Sequence, residues 1–166
     1  MDIEVIHTFP DTHGVIDQIT TLHELFFVCN LGWGKKFKND VKSYLENFSS
    51  RFDKKKDSLW VAKRNNVIIG SIAVDSHEGF PSCARIRVFI VDFRYQCQGI
   101  GGKLLTNALN FCKFSGYQKI ELWTFDNLSQ AKRLYLGYGF SKCAEREVSY
   151  WGASLIEQLF FLELTS

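Results

Sequence analysis

The five cysteines, at positions 29, 83, 97, 112 and 143, form no C-x-x-C pair and leave an odd count. This argues against a disulfide framework and sets the expectation of a reducing, cytoplasmic setting. The four histidines, at 7, 13, 23 and 77, have no metal-ligand spacing among themselves or with the cysteines, so no metal site is expected. No window reaches the ~18 unbroken apolar residues of a membrane span. The opening Met1-Asp2-Ile3-Glu4 lacks the basic and apolar regions of an export signal, so neither secretion nor membrane insertion is expected. A net charge of +2 gives no field that would advertise nucleic acid or an anionic membrane as partner. Lys54-Lys55-Lys56 reads as a solvated loop, with contact to an acidic partner or a phosphate as the alternative. No internal repeat, low-complexity tract or linker divides the chain. With 46% hydrophobic residues in 166, one compact enzyme-sized domain over residues 1–166 is the expectation.

What the chain does have is the run Val91-Asp92-Phe93-Arg94-Tyr95-Gln96-Cys97-Gln98-Gly99-Ile100-Gly101-Gly102-Lys103-Leu104-Leu105. An apolar strand empties through a polar turn into a glycine-rich helix start. The first N–H groups of a helix lack carbonyl partners, and the helix dipole adds positive charge there, so such a junction suits a phosphate or pyrophosphate. A glycine-rich turn that only lets a helix pack close to a sheet is the plainer alternative. The dinucleotide fingerprint fails, because it needs a small residue where Leu104 stands. A Walker A loop fails too, because Cys97 replaces its first glycine and Leu104 its magnesium-binding hydroxyl.

The remaining pattern, Gln96-Cys97-Gln98-Gly99-Ile100-Gly101, resembles the [Gln/Arg]-x-x-Gly-x-[Gly/Ala] signature of the GCN5-related N-acetyltransferase (GNAT) superfamily. Downstream, Ala131-Lys132-Arg133-Leu134-Tyr135-Leu136-Gly137-Tyr138-Gly139-Phe140 is similar to that family's A-x-x-L-Y-x-x-x-G-F segment. Leu122-Trp123-Thr124, Gly139-Phe140 and the Trp151–Gln158 stretch also resemble the acetyltransferase domains fused behind MarR-type regulators. Only the acetyltransferase half of that architecture is expected here, so DNA binding is not carried over.

Periodicity supplies the elements. A strand around Ile3 and Val5 precedes a helix capped by Asp11 or Thr12, with Val15, Ile16, Ile19, Leu22, Leu25 and Phe26 on one face. Asn30–Lys36 reads as a flexible loop. A second helix carries Val41, Tyr44, Leu45 and Phe48 behind an Asn39 or Asp40 cap. A hairpin joins Leu59–Lys63 to Val67–Asp75 through Arg64-Asn65-Asn66. In the next strand Ala84, Ile86, Val88 and Ile90 are predicted on one face, and Arg85, Arg87, Phe89 and Val91 on the other, with both arginines reaching solvent or substrate. The glycine turn opens a helix that packs Leu104, Leu105, Ala108, Leu109 and Cys112 and ends at Gly116. Lys119–Phe125, a helix with Ala131, Leu134 and Tyr135, and strands over Glu145–Tyr150 and Phe160–Leu164 complete the order β-α-α-β-β-β-α-β-α-β-β. This is the order of the GNAT, or acyl-CoA N-acyltransferase, fold: an α/β chain with a mixed sheet and helices on both faces.

The resemblance implies acetyl-CoA as co-substrate, with no metal, and direct attack of a primary amine in a ternary complex. It places the pantetheine arm against Ile90 and Val91. The pyrophosphate falls at the turn of Gln96, Gln98, Gly99, Ile100, Gly101, Gly102 and Lys103, with Ala131 also on the cofactor side. A backbone N–H near Val91 would face the oxyanion. Tyr135 is the candidate acid for the departing thiolate, with simple helix packing as its plainer reading. Glu121 is the candidate base, and a missing dedicated base is the alternative. Asp92 reads as a turn residue. The family's cofactor-contacting Asn falls at Leu128, one step from Asn127, so that contact is shifted or lost. Trp123, Phe125 and Trp151 are either acceptor-pocket walls or core. The acceptor, a small-molecule, peptide or protein amine, is expected to be shaped by the first helices, the Asn30–Lys38 loop and the Gly152 hairpin. A homodimer through the C-terminal strands is possible in the family. A non-catalytic acyl-CoA-binding regulatory or sensor module, and a nucleotide-binding module, stand as alternatives.

Overall fold

The structure, a computed structural model, describes residues 2–165. Strand β1 (Glu4–Thr8) pairs antiparallel with β2 (Ser58–Arg64), β2 with β3 (Val67–Ser76), and β3 with β4 (Cys83–Val91). Strand β5 (Lys119–Phe125) runs parallel to β4, and β7 (Ala153–Glu163) inserts between β5 and β6 (Ser141–Tyr150). The seven-stranded order is β1-β2-β3-β4-β5-β7-β6. Helices α1 (Val15–His23), α2 (Lys36–Ser50), α3 (Ile100–Phe114) and α4 (Ser129–Gly137) complete the expected element order.

Two apolar layers hold the sheet. On one face Leu104, Leu105, Ala108 and Cys112 of α3 pack against Ile72, Ile86 and Ile120. On the other, Ile19 of α1 and Leu45 and Phe48 of α2 cover Leu59, Val61 and Ala73. Burying each large side chain of this kind contributes roughly 1.5–3 kcal/mol relative to leaving it exposed. The β2–β3 hairpin turns on Asn65 and Asn66, whose φ angles of 51° and 62° suit the two-residue turn that matches strand twist.

Four expectations are corrected. Helix α1 starts behind Gly14 at φ 77°, with no side-chain cap from Asp11 or Thr12. It continues as a wider π-helical turn over Glu24–Asn30, where the Leu31 N–H donates to the Phe26 carbonyl at 3.1 Å. The changed pitch turns Leu25 out to solvent while Phe26 stays packed against the core. The Asn30–Lys36 stretch is anchored, because Trp33 is only 4% exposed and α2 already begins at Lys36, ahead of the predicted cap. Strand β6 begins at Ser141 instead of Glu145 because it pairs with β7 along its length.

The fourth correction positions the site. The clean alternation of β4 breaks at Val88, whose φ is 44°; Ser71 pairs with Ile90 but Ala73 pairs with Arg87, so Ile72 faces an extra residue. Ala84 and Ile86 therefore share the α3 side with Phe89 and Val91, whereas Val88 and Ile90 pack on the α1/α2 side. The Ser71 hydroxyl donates to the Val88 carbonyl at 2.6 Å and holds the bulge.

Candidate active site

Strands β4 and β5 are paired only through Cys83–Lys119, Ala84–Ile120 and Arg85–Glu121. Beyond Arg85 they part, and the Val88 bulge bends β4 away from its neighbour. A cleft of about 700 Å³ opens in this fork. One wall is the end of β4 with the turn after it: Phe89, Ile90, Val91, Gln96, Gly99, Ile100, Gly101 and Gly102. The other wall is the start of α4: Asn127, Leu128, Ala131, Leu134 and Tyr135.

The turn is fixed by its own polar groups. Asp92 accepts from the Arg94 backbone N–H at 2.9 Å and pairs with its guanidinium at 2.6 Å. Those contacts hold the Asp92 carboxyl below its ordinary range. The Gln96 side-chain amide donates to the Val91 carbonyl at 3.0 Å, tying the turn to the strand end. Gly99 then adopts φ 79°, a conformation that a side chain would strain. Within α3, Lys103 N–H closes onto the Gly99 carbonyl at 3.1 Å, so the N–H groups of Ile100, Gly101 and Gly102 lie ahead of the first helical bond. A Cβ on Gly101 would meet Leu134 Cδ2 at 3.3 Å, and that close approach brings α3 and α4 together around the cleft.

Tyr135 within α4 and Tyr138 at its C-terminal cap are in different situations. The Tyr138 hydroxyl donates to the Gly102 carbonyl at 2.9 Å and meets Thr106 Oγ1 at 2.9 Å, so it clamps α4 to α3. Tyr135, 5% exposed, lines the cleft with its ring near Phe89, Phe140 and Phe160. Its hydroxyl bonds to no described residue, and burial pushes its pKa up, so it stays protonated. A clustered donor N–H set, an apolar channel and a protonated phenol can hold a phosphorylated thioester and supply a proton to sulfur.

The remaining candidates fall less neatly. Asn127 and Leu128 both line the cleft, so the shifted position still reaches it. Gln98 is exposed and is absent from the lining, and the Lys103 N–H is spent inside α3. Lys103 instead borders a shallower surface depression with Val5, Thr106 and Tyr138. Glu121 lies at the closed end of the fork, where its carboxylate faces His77 Nε2 at 3.1 Å, and it is not among the cleft residues. Its strand position opposite Arg85 keeps it at the last paired rung, outside the cleft lining. Of the aromatics, Trp151 stacks on Trp33 at 5.1 Å and Phe125 packs edge-on to Trp33 at 5.1 Å, whereas Trp123 is 40% exposed beneath Arg146.

Phe26, Phe27 and Phe89 line the cleft without having been singled out. The first two arrive through the π-helical turn and the third through the bulge, and neither irregularity has a sequence pattern. No group of three or more His, Cys, Asp or Glu that could hold a metal lies among the described residues. Nor is any helix among them long and apolar enough to cross a membrane.

Residues 18–140 match the model of the acetyltransferase (GNAT) family. Among curated proteins, N-acetyltransferase 8F1 of Rattus norvegicus is 26% identical over 131 residues, covering 76% of this chain and 59% of that protein. An uncharacterized N-acetyltransferase of Methanocaldococcus jannaschii is 26% identical over 148 residues, covering 87% and 64%. The chain thus spans about 60% of the length of these relatives. Among solved structures, a GNAT-family acetyltransferase from Staphylococcus aureus superposes with a TM-score of 0.79 at 20% identity, covering 99% of this chain and 100% of its own. The yncA protein of Salmonella typhimurium, solved with its cofactor acetyl-CoA, gives 0.78 at 18% identity, covering 98% and 94%. These likenesses bear on the fold.

Proposed function

The chain belongs to the acetyltransferase (GNAT) family, and from that premise we propose that it transfers acetyl from acetyl-CoA to a primary amine by direct attack in a ternary complex. Acetyl-CoA supplies the thioester acetyl group. The Ile100, Gly101 and Gly102 N–H groups suit its pyrophosphate, and the Ile90–Val91 strand end suits its pantetheine arm. The free-base amine forms the C–N bond as the C–S bond breaks. Tyr135 gives its proton to the departing thiolate, and the proton lost from nitrogen passes through solvent to restore the phenol.

The observation that carries this reading is the contrast between Tyr138, whose hydroxyl is committed to α3, and Tyr135, a buried cleft-lining residue whose hydroxyl bonds to no described residue. No side chain is assigned as base, since Glu121 is engaged by His77. The reading includes one acetyltransferase domain over residues 1–166, a cytoplasmic setting, and an acceptor that is a small-molecule, peptide or protein amine. A homodimer through the exposed strand β6 belongs to it as well.

Release of free thiol from acetyl-CoA, measured across a panel of amines, tests the proposal. Release that depends on the amine is expected. Tight acetyl-CoA binding with no release for any amine would instead favour a non-catalytic acyl-CoA-binding module, and ATP competing with CoA for the turn would favour a nucleotide-binding module.

A further inference from the structure

The cofactor side of the fork is occupied by the glycine turn, α3 and α4, so an acceptor meets the fork from the α1/α2 face. On that face we infer a binding site for an anionic group, carboxylate or phosphate, carried by the amine acceptor, with Arg87 as the residue that engages it. The inference rests on the acetyl-transfer reading.

Arg87 is the β4 residue immediately before the Val88 bulge, two positions past the last rung that joins β4 to β5. Its guanidinium lies over the Tyr44 ring at 4.2 Å and makes no hydrogen bond or ion pair with any described residue. It is partly exposed, so a ligand can still reach it. A guanidinium in that state presents a planar fork of N–H groups suited to two oxygens of one anion.

The platform beneath it is rigid. The Tyr44 hydroxyl donates to Asp75 Oδ2 at 2.9 Å, and the same oxygen takes Arg51 at 2.8 Å and Arg85 at 3.4 Å. Asp75 is fully buried and its Oδ2 is shared by Arg51 and Arg85, so it makes no ion pair with Arg87. The nearby Glu121 carboxylate is turned to His77. Within the platform Arg85 Nε and Asp75 Oδ1 are both buried without a described partner, so the spare donor there is matched by a spare acceptor and the free donors are those of Arg87. An anion at the fork would meet the unpartnered donors of Arg87 with charge-assisted hydrogen bonds.

A chain-length ruler tests the site. Glycine, β-alanine, 4-aminobutyrate and 6-aminohexanoate are compared with their neutral amides and with aminoalkyl phosphates of matching length. Binding to the CoA-loaded protein is read by calorimetry, and turnover by thiol release. At one favoured length the anionic member should bind at least about tenfold tighter than its amide, and the carboxylate and phosphate arms identify the preferred anion. Arg87→Gln should erase that preference and leave the acetyl-CoA Kd unchanged, while Arg87→Lys keeps part of it. The unchanged acetyl-CoA Kd of Arg87→Gln guards against a folding artefact. Equal binding of anions and amides, or a preference that survives Arg87→Gln, overturns the inference. Anion-selective, Arg87-dependent binding without thiol release sustains the site and overturns the transfer reading. Thiol release without anion preference does the reverse.

Discussion

On the α3/α4 side of the fork the cleft is shaped by main chain: a positive φ at Gly99, free N–H groups at the start of α3, and a glycine that lets Leu134 come close. On the α1/α2 side the polar groups are side chains drawn from separate elements and lie outside the cleft lining: Tyr44 and Arg51 near or within α2, Asp75 on β3, and Arg85 and Arg87 on β4. A site built from backbone geometry leaves a compact local motif. A site built from side chains is assembled only when the fold brings distant positions together.

The largest effect that would sharpen this contrast is on Tyr135. Replacing it with Phe keeps the ring packing and removes the proton, so kcat should fall by about 10²-fold or more while the acetyl-CoA Kd stays put. Unchanged turnover would assign the proton to another group. Next, Trp33→Ala removes a buried ring that contacts Phe27, Phe37, Phe125 and Trp151, which should lower stability by about 3–5 kcal/mol in a denaturant titration. Acetyl-CoA affinity of the folded fraction should not move; a large change would break the division between the two sides.

The third concerns acid. His23 of α1 is buried against Phe27 and Phe37, and burial lowers its pKa from 6.5 to about 4. The unfolded chain binds a proton as pH drops below 6.5, whereas the folded chain does so only near 4. Stability therefore falls with falling pH across that window, by roughly 3 kcal/mol in all. Melting temperatures at pH 7 and pH 4.5 should diverge less in His23→Gln than in the parent. The smallest effect belongs to the cofactor side: Gly101→Ala, whose Cβ sits 3.3 Å from Leu134, should weaken acetyl-CoA about tenfold, or ~1.4 kcal/mol, by calorimetry.

The order of strands and helices was legible because apolar periodicity and the glycine turn are local signals. That Tyr135 and the turn glycines lie on one cleft follows from the same local signals. For Glu121 alternation gives a face but not the position along the fork, and its partner His77 is 44 positions away in the chain. The π-helical turn and the Val88 bulge were invisible for a related reason. Both insert one residue into a regular period, and the payoff for the irregularity is long-range: Phe26 and Phe27 reach the cleft, and Phe89 changes side. Trp33 looked like part of a loop because only its stack on Trp151, 118 positions later, makes it core.

Beyond Arg85, strands β4 and β5 are edge strands in the middle of a sheet. An exposed edge normally invites another polypeptide to add itself, the first step toward swapped dimers and fibrils. Here the two edges face each other across a narrow gap, one is kinked by the bulge, and Phe89 and Tyr135 stand within it. The kink and the two aromatic rings break the flat, regular edge that an added strand needs. The protein thus keeps unsatisfied backbone within reach of a small ligand and out of reach of its own kind.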